Sequence, residues 1–190
     1  MGGFFGGFMV LLALAAGVAF FLIGIYNRLV KLRVSTEDGW SSIDVQLKRR
    51  YDLIPNLVKT VKAYATHESD TLEEVIQARG AAQQSENLEE RARAENGLSR
   101  SLDKLIALVE RYPELKADKN FRKLHDDLVR IEDDLQYARR YYNGTVRDLN
   151  VKVQQVPSNL VAGLLGVREA EFFEVEDAGE RSAPRIDWSE

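Results

Sequence analysis

Polar and apolar positions follow two different patterns along this chain. No charged side chain precedes Arg28, and the run from Phe4 to Ile25 is apolar apart from its glycines. As an α-helix, roughly 22 residues at about 1.5 Å each reach about 33 Å, which matches a hydrocarbon layer about 30 Å thick. Beyond that run the apolar residues become periodic. Trp40, Ile43, Leu47, Tyr51, Ile54, Val58, Val61 and Ala65 recur at steps of three and four, the spacing of one helix face. Pro55 falls inside this stripe, and the unbroken periodicity across it predicts a kinked continuous helix rather than a fresh start at Asp52. Leu72, Val75 and Ile76 extend the stripe, so the first helix is expected to end near Gly80.

A second helix is predicted from Asn87, a cap with Glu90 three residues on. Leu88, Ala92, Leu98, Leu102, Leu105 and Val109 carry its stripe, Asn96-Gly97 weakens it, and Tyr112-Pro113 closes it. Asp118 is placed to cap a third helix, whose stripe runs from Phe121 through Leu128, Leu135, Tyr142 and Leu149 to Val153. Pro157 ends that helix and opens a short one through Leu165, with Gly166 just past its end. The pattern therefore predicts an all-α chain: a single N-terminal transmembrane helix, then an antiparallel, coiled-coil-like bundle of long helices. The corresponding segments are an anchor over 1–27, a bundle over 28–177 and a disordered acidic tail over 178–190.

Charge gives the anchor an orientation. Arg28, Lys31 and Arg33 follow the apolar run and nothing basic precedes it, which places the N-terminus outside and the C-terminal domain in the cytoplasm. Phe4, Phe8, Leu12, Phe20, Phe21 and Ile25 would face the lipid bilayer, and Tyr26 suits the headgroup level. A cleaved signal peptide fits poorly: no basic segment opens the chain, and Phe20, Phe21 and Ile23 carry the apolar run past the small residues Ala13-Leu14-Ala15. A soluble core helix is rarely apolar on all faces over this length. Gly3 and Gly7, and Ala13 and Gly17, have the four-residue spacing that lets spanning helices approach, a spacing also common in membrane helices generally.

Composition narrows the chemistry. The net charge is −4, and no stretch has the basic density of a nucleic-acid footprint. The chain has no cysteine and two histidines, so thiol nucleophiles and thiolate metal sites are excluded. His67-Glu68 invites a zinc reading, but the zinc-protease pattern needs a second His where Thr71 stands. No phosphate loop, paired-carboxylate cleft or triad pattern is present, so no enzyme activity, catalytic residue, metal or cofactor is expected. The densest charged band is Asp44, Arg49, Arg50 and Asp52, joined by Asn56. It reads either as a solvated face or as a partner-docking surface anchored by arginine. In Arg139-Arg140-Tyr141-Tyr142 the stripe assigns Tyr142 to the core and the other three to its rim.

Tyr26-Asn27-Arg28-Leu29-Val30, Trp40, the block from Ile43-Asp44-Val45-Gln46-Leu47-Lys48-Arg49-Arg50-Tyr51-Asp52 to Leu53-Ile54-Pro55-Asn56-Leu57-Val58, and His67-Glu68 together resemble the LemA family. The similarity continues through Glu110-Arg111-Tyr112-Pro113-Glu114-Leu115, Arg140-Tyr141-Tyr142-Asn143 and Pro157-Ser158-Asn159. Val167-Arg168-Glu169-Ala170 departs from the family's usual turn before its Phe pair. The resemblance implies a bacterial protein of the inner (cytoplasmic) membrane with one span and a helical bundle behind it. It carries over no catalytic residues. The function expected on these grounds is a membrane-anchored, non-enzymatic helical scaffold or interaction protein with unknown protein partners, able to form a homo-oligomer. The alternative is a self-assembling, membrane-shaping protein.

Overall fold

The computed structural model describes residues 2–173, with side chains from Gly6 onward. The tail expected over 178–190 and the side chain of Phe4 lie outside the described residues. Among those described there are six helices and no strand: α1 (Gly2–Lys62), α2 (Ser69–Gln84), α3 (Leu88–Val109), α4 (Pro113–Ala117), α5 (Lys119–Gln154) and α6 (Ser158–Leu165). The chain is all-α, as its periodicity predicts.

Helix α1 passes Pro55 without interruption. A proline at 55 has no N–H to offer the carbonyl of Tyr51, four residues earlier. Arg79 on α2 supplies the missing donor, with Nε 2.7 Å from that carbonyl oxygen. The end of α1 differs from the expectation: the helix stops at Lys62, and Gly80 lies within α2. Ala63–Glu68 forms tight turns instead, with Tyr64 N–H donating to Val61 O at 3.1 Å and Glu68 N–H to Ala65 O at 3.2 Å. Those turns are tied down by side chains distant in sequence. Tyr64 Oη donates to Asp118 Oδ2 at 3.1 Å, and Glu68 Oε1 accepts from Arg111 Nη2 at 3.1 Å and Tyr112 Oη at 3.0 Å. The residues around His67-Glu68 thus form a corner, and the expected first helix is two.

The other boundaries fall where local chemistry puts them. Asn87 caps α3 by accepting from Glu90 N–H at 2.8 Å, and Asp118 caps α5 by accepting from Phe121 N–H at 2.8 Å. Pro113 opens α4 at its first turn. Gly166 ends α6 at φ 65°, a left-handed conformation that glycine adopts without a Cβ clash.

The helices sort into two compact units. One joins the residues up to Ile43 with Tyr137–Phe172; the other joins Asp44–Gln136 with Phe173. Helices α1 and α5 contribute to both, and the anchor boundary expected at residue 27 falls inside α1. In the second unit α1, α2, α3 and α5 run up, down, up and down. Asp44 pairs with Arg91 and Arg50 with Glu95, so α1 and α3 are parallel. Lys104 pairs with Glu74, so α2 opposes α3. Arg50 pairs with Glu132, while Tyr64 meets Asp118, so α5 opposes α1. Leu47, Ile54, Leu57, Leu98, Leu105 and Leu135 fill this unit's core.

In the first unit α5 again runs against α1. The Trp40 and Tyr142 rings meet edge to face at 5.7 Å, and a Cβ on Gly39 would lie 3.2 Å from Tyr142 Cα. The segment that departs from the family pattern is held as an extended strap on α5. Asn150 brackets Ala170, donating to its carbonyl and accepting from its N–H, each at 2.9 Å, and Tyr142 Oη donates to Glu171 O at 2.9 Å. Among the described residues α1 is long and apolar enough to cross a membrane, and its most apolar 18-residue window, of mean hydropathy 2.7, has no buried residue. A core helix of a soluble domain would be covered; this one presents Phe8, Leu12, Phe20 and Phe21 outward.

Candidate functional site

A buried ionic cluster lies at the centre of the second unit. Arg50 on α1 and Glu95 on α3 are both 0% exposed. Arg50 Nη1 donates to Glu95 Oε2 at 2.9 Å, Nη2 to Ser99 Oγ at 2.8 Å, and Nε lies 2.8 Å from Glu132 Oε1 on α5. The neighbouring Tyr51 hydroxyl donates to the other oxygen of Glu95. One guanidinium thereby joins three helices through its five-donor fork. Burial, and then the hydrogen bond to the Glu95 carboxylate, push the Tyr51 phenol well above its ordinary range. The phenol stays a donor at every physiological pH.

The cluster corrects the reading of the charged band. Asp44, Arg49, Asp52 and Asn56 are exposed, with Asp44 loosely paired to Arg91 at 3.4 Å. Arg50 points the opposite way and cannot anchor a partner, because its side chain is enclosed and its donors are committed inside. Glu95, Ser99 and Glu132 were absent from the sequence-based candidates. A signal for them exists nonetheless. Arg50 sits between Leu47 and Ile54, Glu95 between Ala92 and Leu98, and Glu132 between Leu128 and Leu135, all at steps of three or four. A charge on an apolar stripe must find its opposite on another stripe.

The remaining candidates are dispersed. His67 is exposed, and Glu68 is engaged by Arg111 and Tyr112. Among the described residues no group of three or more His, Cys, Asp or Glu side chains is placed to hold a metal ion. Tyr142 is buried and Tyr141 exposed, and Arg140 stacks 4.6 Å over the Tyr137 ring at the surface. Ile25 is half-buried, while Arg28, Lys31 and Arg33 are exposed, Arg33 pairing with Glu37 at 3.0 Å. Beside them lies a groove of about 390 Å³, formed in the first unit by Phe21, Ile25 and Arg28 of α1 and by Lys152, Val156 and Pro157.

The family model described as LemA family matches residues 39–188, a stretch that includes every member of the buried cluster. The chain belongs to the LemA family. Similar relatives include Magnetosome protein MamQ 2 of Paramagnetospirillum magneticum, 26% identical over 82% of this chain and 66% of the relative. Magnetosome protein MamQ of Magnetospirillum gryphiswaldense is 24% identical over the same shares. Protein LemA of Metamycoplasma hominis is 24% identical over 90% of this chain and 78% of its own length. The chain thus spans just under two thirds of the MamQ relatives it matches. Within this LemA-family chain the cluster joins α1, α3 and α5 around Arg50 and Glu95, both enclosed by the fold.

Proposed function

We propose that the chain is a membrane-anchored, non-enzymatic helical scaffold that presents the outer face of α1 to protein partners. The observation that carries this reading is α1 itself, an unbroken helix from Gly2 to Lys62 whose first part is apolar and uncovered and whose last part belongs to a folded bundle. Relatives named as magnetosome proteins and as LemA fit a membrane setting for such a chain. The bilayer proposed is the bacterial inner membrane, with the N-terminus outside and the bundle in the cytoplasm, because Arg28, Lys31 and Arg33 flank the C-terminal end of the apolar run.

The docking surface proposed is Asp44, Arg49, Asp52 and Asn56, exposed on one stretch of α1. Arg50 is excluded from it by burial, so charge reversal there would unfold the unit rather than test the surface. In-cell crosslinking followed by mass spectrometry is the experiment. Arg49→Glu with Asp52→Lys should abolish specific crosslinks while the domain stays folded. An unchanged set of crosslinked proteins would rule this surface out.

Self-assembly into a homo-oligomer, with the membrane-shaping role that could follow, is the second reading. The long α5 stripe does not favour it, since Phe121, Leu128, Leu135, Tyr142, Val146 and Leu149 are buried inside the chain. What favours it is Tyr137 and Tyr141, 66% and 54% exposed one turn apart on α5. Aromatic residues left outside a core are enriched where proteins meet. A single protomer by sedimentation in detergent at high concentration would dismiss this reading.

A further inference from the structure

Beyond the apolar run of α1, the short helix α6 also turns large apolar side chains outward. Ser158–Leu165 contains no charged residue. Its Ser158 and Ala162, four apart, are buried against the unit, whereas Leu160 and Leu164, also four apart, are 68% and 89% exposed. Val156, just before the helix, is 73% exposed. A water-facing helix ordinarily turns polar residues outward; α6 turns leucines outward.

The start of α6 lies beside the end of the apolar run. The groove of about 390 Å³ brings Val156 and Pro157, at the start of α6, against Phe21, Ile25 and Arg28 of α1. Phe21 and Ile25 belong to the uncharged run, and Arg28 is the first charge after it. The groove therefore lies where the chain changes from apolar to polar, and its far wall carries a second cation, Lys152. Lys152 Nζ donates to the neutral Gln155 Oε1 at 2.7 Å, which leaves its charge uncompensated by that contact.

We propose that α6 lies in the headgroup layer of the membrane, leucines inward, and that Arg28 and Lys152 hold the phosphate of an anionic phospholipid whose acyl chain follows Phe21 and Ile25. The proposal rests on the reading that the 4–25 run spans the bilayer. Lipid is favoured over a soluble protein because one wall of the groove is made by residues that a water-borne partner cannot reach once they are in hydrocarbon. It is favoured over a second copy because a two-fold contact through this groove would set Arg28 and Lys152 against their own equivalents. Anionic headgroups are complementary to both cations and are attracted to basic residues beside a span. An amphipathic helix at this level buries its apolar face about 5–10 Å into the boundary between headgroups and chains.

The absence of cysteine makes the test direct, because one introduced thiol is one label. The full chain is reconstituted in phosphatidylcholine vesicles with and without phosphatidylglycerol, carrying a fluorophore at Leu160→Cys, Leu164→Cys, Leu14→Cys or Val129→Cys. Quenching by lipid-borne nitroxide is compared with quenching by aqueous iodide. The two α6 labels should be quenched by the nitroxide and be several-fold less open to iodide than the label at Val129→Cys, and phosphatidylglycerol should increase the difference. Arg28→Gln with Lys152→Gln should remove that phosphatidylglycerol effect; its persistence would overturn the phosphate site. Labels on α6 as open to iodide as Val129→Cys, with Leu14→Cys still in lipid, would overturn the proposal and leave the span standing. A label at Leu14→Cys that iodide reaches would overturn the span and the proposal together. Protection of the α6 labels from both quenchers would mean that protein covers α6, which also overturns it.

Discussion

Arg50 and Glu95 form an ion pair with no access to water, bounded by Tyr51, Ser99 and Glu132. Such a pair gains little over a well-packed apolar substitute, but losing one member strands the other. Arg50→Ala, which leaves Glu95 buried without its counter-ion, should cost about 3–5 kcal/mol. Replacing Arg50 by Met together with Glu95 by Leu should cost much less. Urea denaturation in detergent, followed by circular dichroism, distinguishes the two outcomes, and equal losses would show that the charges themselves are not what matters. Tyr51 adds a pH dependence. Its folded-state pKa is raised, so the native state keeps a proton that the unfolded chain releases. The associated stability is complete below the ordinary phenol pKa of about 10 and declines as pH climbs above it. Tyr64, Tyr112 and Tyr142 are shifted in the same direction. Tyr51→Phe should flatten the alkaline decline without abolishing it. Asp118 behaves oppositely: its bond from the Phe121 N–H lowers its pKa, so its contribution is present above the ordinary carboxylate range and fades as acid protonates it.

At the scale of the element, α1 shows how a helix keeps a proline. Pro55 leaves the Tyr51 carbonyl without its helical donor, and Arg79 replaces that donor from α2. The two residues are therefore coupled. Arg79→Ala should cost about 1–3 kcal/mol when the carbonyl has no other donor, and distinctly less beside Pro55→Ala, where the backbone N–H is restored. A double-mutant cycle measures this, and identical costs in both backgrounds would refute the coupling. Gly39 is an element-scale feature of the first unit, where α1 approaches the Tyr142 backbone. An alanine there would trade about 1 kcal/mol of helix propensity against a Cβ contact that is slightly tight. Gly39→Leu has no such compensation and should lower stability by about 1–3 kcal/mol, visible as a reduced midpoint of thermal unfolding.

For the whole molecule the deciding quantity is where each part resides. The chain should sediment with membranes after ultracentrifugation and be released by detergent but not by salt, since burial of an apolar run is not screened by ions. Protease applied outside intact cells should leave the segment after Arg28 intact. Cleavage within the bundle would reverse the proposed orientation. The division into two units adds a local expectation: hydrogen exchange should be slowest along the buried stripes around Leu98, Leu105 and Leu135, and faster at the Ala63–Glu68 corner, where helical bonding gives way to turns.

Local rules written in the order of residues determined much of this protein. The apolar run of α1, the caps at Asn87 and Asp118, the stop at Pro113 and the left-handed glycine at 166 each depend on neighbours within a few positions, so the amino-acid order alone discloses them. The tertiary structure decided what depends on residues far apart. The corner at Ala63–Glu68 exists because Tyr64 and Glu68 find Asp118, Arg111 and Tyr112, which no periodicity along α1 encodes. Arg50 turns inward because opposite charges from α3 and α5 arrive at the same depth, and a charge leaves water only when the fold has brought it a partner.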